Sequence, residues 1–292
     1  MTGGKVGSLA HGGGAVVIAV VLGSALLHAT WNALTHAARD RIAAITLIGT
    51  ACVLCATPAL LLAPAPSRAT WPFIGLSAAL ETAYAFGLAL AYRLGDFSRA
   101  YPLARGTSPL LVALVAALVL GQPVSGPAWL GIAAVCAGLL ALAFADGLPG
   151  WHGLPAVAAA VGTGAVTAAY TVVDGLGVRR AGTVVGYAAW IFLFQGVATV
   201  LIAFAVRGRS LAPSLRTDGV RGLTGGMVSM LAYSLVLWAQ TRGSLAEVAT
   251  LRETSILAGC VIGTVAFHER FGRARLLASA GIVFGIVLIT RI

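Results

Sequence analysis

The sequence predicts an all-α integral membrane protein with ten transmembrane helices, arranged as two inverted five-helix repeats. The first observation behind this prediction is composition, because 59% of the 292 residues are hydrophobic and 10% are charged. A soluble domain of this length could not bury so much apolar surface, so lipid must be the solvent. The other two observations are the spacing of the apolar runs and a weak internal repeat.

Ten apolar runs are separated by glycine, proline and charged residues, and each is close to the roughly 20 residues that span a bilayer. The predicted helices lie near 15–37, 42–62, 71–93, 97–120, 125–146, 154–176, 183–206, 217–241, 245–267 and 273–291. Ten such helices use about 250 residues, which leaves no room for a separate catalytic domain.

Two segments outside the apolar runs carry their own predictions. Residues 1–14 are rich in glycine and lack a signal-peptide cleavage site, which predicts a flexible tail. The connection from Arg207 to Arg221 contains four arginines and is predicted to be an unstructured basic surface loop.

The internal repeat relates residues 15–146 to residues 154–292. Because each half contains an odd number of helices, the second half enters the membrane in the opposite orientation, and such inverted repeats are the structural basis of alternating access. The aligned positions are Gly95–Arg105 with Gly243–Glu253, Gln122 with Glu269, Gly138 with Gly285, and Trp31-Asn32 with Tyr170-Thr171.

The formal net charge of +10 does not indicate a nucleic-acid partner, because the basic residues are spread between apolar segments. Counted over alternate connections, lysine and arginine are concentrated on the side opposite the termini. The positive-inside rule then places both termini outside. The four cysteines lie within apolar runs, which favours packing over metal binding or redox chemistry; they are Cys52, Cys55, Cys136 and Cys260.

Ionisable residues inside the apolar runs are the candidate site residues, because burying each costs roughly 2.5 to 3.5 kcal/mol on insertion scales. Ser77, Glu81 and Tyr84 share one face of the third helix. The carboxylate of Glu81 is suited to reversible protonation or to recognition of a cationic group. The alternative is a structural ion pair between Glu81 and Arg105 on the next helix.

Arg105 lies in the fourth helix, on the same face as Tyr101. Pro102 and Pro109 donate no backbone hydrogen bonds, so they leave free carbonyl groups and kink this helix. The guanidinium of Arg105 could hold a carboxylate or phosphate of a solute. A salt bridge that fixes the third and fourth helices is the alternative.

The ninth helix carries Arg252 and Glu253 at the positions that align with Ala104 and Arg105. Neighbouring residues on a helix point about 100° apart, so one of this pair at most faces the centre, and Glu253 is preferred. Arg252 is then expected to pair with Asp174 or Glu247 as part of the scaffold.

The first helix places His28, Trp31, Asn32 and Thr35 on one broad face. His28 is a candidate for proton coupling, with a hydrogen-bonded structural role as the alternative. Trp31 and Asn32 are expected to contact a solute, since the second half repeats the aromatic–polar pair. Aromatic rings beside a carboxylate would also hold an organic cation.

In these features the sequence resembles the drug/metabolite transporter superfamily, in its EamA-type ten-helix branch. The resemblance is carried by the two repeats, the aromatic pair Trp31 and Tyr170, the turn into the proline-bearing segment Gly95–Pro109, and the link Phe267–Phe271. It implies a multi-pass protein of the cell (inner) membrane that transports small metabolites. Gln122 departs from the family pattern, in which a glutamate is common at this position.

The expected cargo is a small amphipathic metabolite, an amino acid or related zwitterion first, because Arg and Glu together match carboxylate and ammonium. Export and proton coupling through Glu81, His28 or Glu253 are expected, with no cofactor, metal or nucleic acid, in a monomer or homodimer. A multidrug or organic-cation exporter, a lipid-linked flippase and a membrane-embedded enzyme are the alternatives. The expected substrate-binding residues are Trp31, Asn32, Glu81, Tyr84, Tyr101, Arg105, Tyr170, Tyr233 and Glu253.

Overall fold

The computed structural model is helical throughout its described part, which comprises residues 13–36, 38, 40–95, 97–122, 124–145, 147, 150–267 and 272–290. Most of the predicted N-terminal tail, Glu269 and most of the link after Phe267 lie outside the described residues. The α-helices of this part are α1 (Gly13–His36), α2 (Arg41–Leu62), α3 (Trp71–Leu94), α4 (Phe97–Leu118), α5 (Gly126–Ala143), α6 (Leu154–Val178), α7 (Val184–Arg207), α8 (Ala212–Gln240), α9 (Leu245–Arg252), α10 (Thr254–Phe267) and α11 (Arg273–Thr290).

The helices are those of a multi-pass membrane protein. Among the described residues, seven candidate spans have the length and apolar composition needed to cross a bilayer. The longest candidate span, residues 184–240, contains both α7 and α8, and α11 contributes a shorter apolar helix.

Polar caps begin several helices at the membrane surface. The carboxylate of Asp40 accepts hydrogen bonds from the backbone N–H groups of Ile42 and Ala43 at the start of α2. Asp40 also accepts from Ser214 and from Arg207, which ties the start of α2 to the connection between α7 and α8. Although burial opposes ionisation, these hydrogen bonds and the charge of Arg207 lower the pKa of Asp40 below its usual value.

The connection from Arg207 to Arg221 is not the unstructured loop that its charge predicted. Gly208 ends α7 with a φ of 52°, in the left-handed region that glycine adopts readily. A short 3-10 helix then leads directly into α8 at Ala212. Leu211 is fully buried in this connection and packs with Ala43 and Ala203, so an apolar anchor holds a segment whose arginines suggested solvent.

The predicted ninth helix is interrupted at Glu253, which separates α9 from α10. The backbone N–H of Glu253 donates to the carbonyl of Thr250, and the hydroxyl of Thr254 donates to the carbonyl of Leu251. These three-residue hydrogen bonds tighten the chain where α-helical bonding stops. Neither proline nor glycine marks this position in the sequence.

Helices of the first half of the chain pack in pairs against helices of the second half. α2 lies against α7, α5 against α11, α3 against α6 and α1 against α8. The α2–α7 contact is closest at two glycines, where a Cβ added to Gly196 would lie 2.5 Å from the carbonyl oxygen of Gly49. Small residues permit this backbone contact, as they do at many helix interfaces in membranes.

Candidate functional site

A cavity lies between α1, α2, α3, α7 and α8, with Tyr170 contributed by α6. Ala38 and Arg41, in and after the connection between α1 and α2, line one end of it, and the guanidinium carbon of Arg41 lies 5.1 Å from the ring centroid of Tyr92. Glu81 on α3 and Tyr233 on α8 line the cavity farther from this connection. The end of the cavity at this connection, called the mouth below, lies on the side of the helices where Asp40 contacts Arg207.

Aromatic rings form one wall of the cavity. The ring centroids of Tyr84 and Tyr170 are 5.8 Å apart, and those of Tyr170 and Tyr233 are 5.9 Å apart, both in edge-to-face geometry. Phe192 continues the wall at 6.3 Å from Tyr233. These distances are favourable for aromatic pairs, so the rings hold each other in place and present an apolar surface with phenol groups to the cavity.

Glu81 contributes a carboxylate to this aromatic surface. It is the one acidic residue among the described residues that line the cavity. Its side chain is 6% exposed, and its Oε1 atom has no hydrogen-bond partner within the described structure. A carboxylate oxygen that is buried without a hydrogen-bond partner favours a proton or a cationic group beside it.

The cavity is closed at the end opposite its mouth. Asp174 is fully buried there and accepts hydrogen bonds from the hydroxyl groups of Tyr187, at 3.1 Å, and Tyr233, at 2.5 Å. Beyond them, Nη2 of Arg179 donates to the carbonyl of Gly243 at 2.7 Å. These contacts join α6, α7 and α8 and seal this side.

Arg105 and Glu253 form a buried ion pair that lies outside the cavity lining. Nε of Arg105 is 2.8 Å from Oε2 of Glu253, and Nη2 of Arg105 donates to the hydroxyl of Ser255 at 3.0 Å. The ion pair of Arg105 with Glu81, which the sequence offered as the alternative for both residues, is not formed, since Arg105 links α4 to the break between α9 and α10. Tyr101 packs near Ile256, in the same region.

Arg252 also differs from its expected pairing. The acid within ion-pair distance of Arg252 is Glu253, with Nε of Arg252 3.9 Å from Oε1, and neither Asp174 nor Glu247 takes that place. The Nε and Nη2 atoms of Arg252 have no hydrogen-bond partner in the described structure, although the residue is 2% exposed.

The structure brings six of the nine expected substrate-binding residues together in the cavity lining, and it places His28 with them. The six are Trp31, Asn32, Glu81, Tyr84, Tyr170 and Tyr233. Tyr101, Arg105 and Glu253 are not part of that lining. Sequence reasoning missed Arg41, Tyr92, Phe192 and Thr199; Arg41 and Tyr92 lie at helix ends, where a basic or aromatic residue is ordinarily an interfacial one.

The comparisons with known proteins agree with this architecture. The profile of the EamA-like transporter family matches residues 154–291. A relative from Sinorhizobium sp, named "Uncharacterized transporter in cobO 3'region", is 36% identical over 133 residues, which cover 41% of this chain and 93% of that protein. A solved structure titled "Crystal structure of protein" shares the fold, with a TM-score of 0.75 and 18% identity over 94% of this chain and 98% of that chain.

Fold, cavity and relatives define a multi-pass membrane transporter that takes a small molecule as its substrate and the lipid bilayer as its surroundings. They point to a transporter and not to an enzyme. The chain belongs to the EamA-like transporter family, within the drug/metabolite transporter superfamily.

Proposed function

We propose that this protein carries a small amphipathic metabolite with an ammonium group across the cell (inner) membrane by alternating access. The observation that carries the proposal is the carboxylate of Glu81, which has an unpartnered oxygen within an aromatic cavity. Amino acids and related zwitterions are included in this class, and other organic cations belong to it equally.

An ammonium group is the complement of this cavity for two physical reasons. It neutralises the charge of a buried carboxylate that forms no ion pair with any of the described residues. It also gains cation–π attraction from rings such as Tyr84 and Tyr170, which is largest where water is excluded. Arg105 is paired with Glu253 outside the cavity lining, so a carboxylate of the solute would not reach it. The carboxylate of a zwitterion would instead bind Arg41 at the mouth.

Alternating access is supported by paired contacts that relate residues 15–146 to residues 154–292. A Cβ added to Gly131 would lie 2.7 Å from the carbonyl oxygen of Gly285, and one added to Gly138 would lie 2.8 Å from that of Ala278. One constant shift in residue number takes Gly131 to Ala278 and Gly138 to Gly285, so it converts the first contact into the second. The same shift takes Gly49 to Gly196, the two glycines of the α2–α7 contact. Two inverted halves around a central axis would require such an exchange. The family profile also matches the second half as a unit.

Export and proton coupling complete the proposal. The mouth of the cavity lies on the side with more arginines, which the positive-inside rule assigns to the cytoplasm, so the described state would load solute there. Glu81 would then bind either the ammonium group or a proton. That exclusivity couples the two fluxes.

Uptake into proteoliposomes, with and without a pH gradient, tests this function. The panel consists of pentylamine, phenethylamine, choline, leucine and phenylalanine. We expect transport of the amines, accelerated by the gradient and slowed at least about tenfold by Glu81→Gln, because a charge-assisted interaction is lost. Glu247→Gln is the matched control, since Glu247 is an acid on α9 outside the cavity lining. Normal transport of all substrates by Glu81→Gln would refute the site assignment.

A further inference from the structure

Three buried polar atoms in the cavity wall have no partner within the described structure. They are His28 Nε2 on α1, Glu81 Oε1 on α3 and Thr199 Oγ1 on α7. Native proteins pair nearly all buried polar atoms, and each one left unpaired costs about 1 to 3 kcal/mol. Three such atoms around one cavity are groups that a bound solute can pair, in place of the water that otherwise occupies a polar cavity.

Trp31 determines what His28 offers to that solute. The indole Nε1 of Trp31 donates a hydrogen bond to Nδ1 of His28 at 3.2 Å, with the two ring centroids 5.0 Å apart. An indole N–H is a donor only, so Nδ1 must accept and carries no proton. The proton of the neutral imidazole is then on Nε2, which makes the unpartnered atom a hydrogen-bond donor.

The same hydrogen bond maintains the neutral form of His28. An imidazolium would carry a hydrogen on Nδ1 as well, and this hydrogen would meet the N–H of Trp31, donor against donor. His28 therefore presents an uncharged donor, while Glu81 presents a charged acceptor from the neighbouring helix. A solute that satisfies both needs a cationic donor and, within the same molecule, an oxygen or nitrogen that accepts.

We infer that His28 is a specificity-determining residue whose Nε2–H binds an acceptor atom of the solute whose ammonium group is held by Glu81. This inference rests on the proposed function and narrows its substrate class to amines that carry an ether, hydroxyl, carbonyl or carboxylate oxygen. Trp31 acts through His28, as the residue that orients the imidazole and selects its tautomer.

Matched amines test this role. Butylamine, pentylamine and hexylamine are compared with methoxyethylamine, methoxypropylamine and methoxybutylamine, in which an ether oxygen replaces one CH₂ group at constant chain length. The ether accepts hydrogen bonds but donates none. The affinity ratio of each pair is measured by calorimetry on the full chain in lipid nanodiscs, for the wild type and for His28→Leu, His28→Gln and Thr199→Val.

At one chain length, the affinity for the ether amine relative to its alkylamine should be about fivefold higher in the wild type than in His28→Leu. This difference is the effect of one net hydrogen bond. The loss in His28→Leu should fall mainly on the ether amine, and the alkylamine binding that remains shows that the variant is folded. His28→Gln should recover part of the preference, because its amide still donates. A purely structural role for His28 would change both amines of a pair alike.

Two results would overturn the inference and are distinguishable from each other. If the ratio is the same in wild type and His28→Leu, or is lost in Thr199→Val instead, the donor is not His28, while the proposed function stands. If the wild type binds none of the six amines, the proposed ammonium site itself is absent, and the role of His28 fails with it.

Discussion

Nε of Arg179 donates to the carbonyl oxygen of Gln240 at 2.8 Å and ties the end of α6 to the end of α8. Nη2 of the same guanidinium binds the carbonyl of Gly243, so one side chain spans the connection between α8 and α9. Both bonds lie at the closed end of the cavity. A carrier that opens this end must break both hydrogen bonds, so the contacts of Arg179 stabilise the described state.

Arg179→Ala is therefore expected to open the closed end. Two charge-assisted hydrogen bonds contribute about 1.5 to 3 kcal/mol each, and their loss shifts the balance towards the opposite state. A reporter Ala246→Cys, buried at 1% exposure, is placed in a chain without its native cysteines. In nanodiscs, its labelling by a polar maleimide should rise at least about fivefold.

Arg180→Ala is the matched control for Arg179→Ala. Arg180 is the adjacent residue, and its Nη1 donates to the carbonyl of Leu176 within its own helix turn. Labelling of the Ala246→Cys reporter should stay at the wild-type rate in this variant. Equal labelling of the two arginine variants would show that the contacts of Arg179 do not hold the closed end.

At the cavity mouth, Arg41 lies at the connection between α1 and α2, and in the second half Arg179 lies at the connection between α6 and α7. Arg41 also lies against Tyr92 near the end of α3. We expect Arg41 to close the mouth in the opposite state, so Arg41→Ala should slow pentylamine transport by about tenfold while sparing its binding.

A cavity reporter separates slow closure from lost binding. In wild type, pentylamine should protect Ala85→Cys, a cavity-lining position, from labelling in actively exchanging proteoliposomes. When pentylamine is bound, it should protect the reporter in Arg41→Ala as it does in the wild type. During transport, the reporter should be labelled more in Arg41→Ala than in the wild type, because the mouth closes more slowly. Arg209→Ala, an exposed arginine on the same side, is the control. An effect of equal size in Arg209→Ala would indicate a general surface-charge effect.

The ion pair between Arg105 and Glu253 should contribute to stability and not to solute recognition. Removing one partner leaves a buried charge, which costs about 3 to 5 kcal/mol. Glu253→Gln should therefore lower the thermal unfolding midpoint strongly. The double variant Arg105→Met/Glu253→Leu should regain part of the loss, because it removes the charge of Arg105 while Arg252 stays without its acid.

Amine affinity distinguishes this structural role from a binding role. The double variant should bind pentylamine as the wild type does, since neither residue lines the cavity. A double variant that is stable but has lost amine binding would place the pair in the transport site after all.

The glycine contact between α2 and α7 should be sensitive to a single methyl group. In Gly196→Ala the new Cβ would meet the carbonyl oxygen of Gly49 at 2.5 Å, which no side-chain rotation relieves. We expect a loss of about 1 to 3 kcal/mol in unfolding free energy, measured in a detergent titration. Gly162→Ala on α6 is the control, because nothing lies within 4 Å of its added Cβ. A neutral Gly196→Ala would contradict the tight α2–α7 packing.

Much of the candidate site could be predicted from local rules. An ionisable residue in an apolar run is costly, which singled out Glu81, and helical periodicity placed Tyr84 on its face. The same periodicity joined Trp31 to His28. The structure places these residues in one cavity lining, because each prediction depends on residues within one helix, whose geometry the chain itself sets.

What only the tertiary structure decided depends on how helices from distant parts of the sequence meet. Arg105 had an acid available on α3 and another after α9, and the packing of α4 against α9 chose Glu253. The break at Glu253 lies at that contact and has no local sequence signal. Leu211 likewise anchors a basic connection by packing against residues distant in sequence. Composition and periodicity by themselves determined a membrane-embedded helical chain with a carboxylate at its centre. Which charges neutralise one another, and which stay open to a solute, was decided by the packing, because in a low-dielectric interior each ion takes the counter-ion that the fold brings within reach.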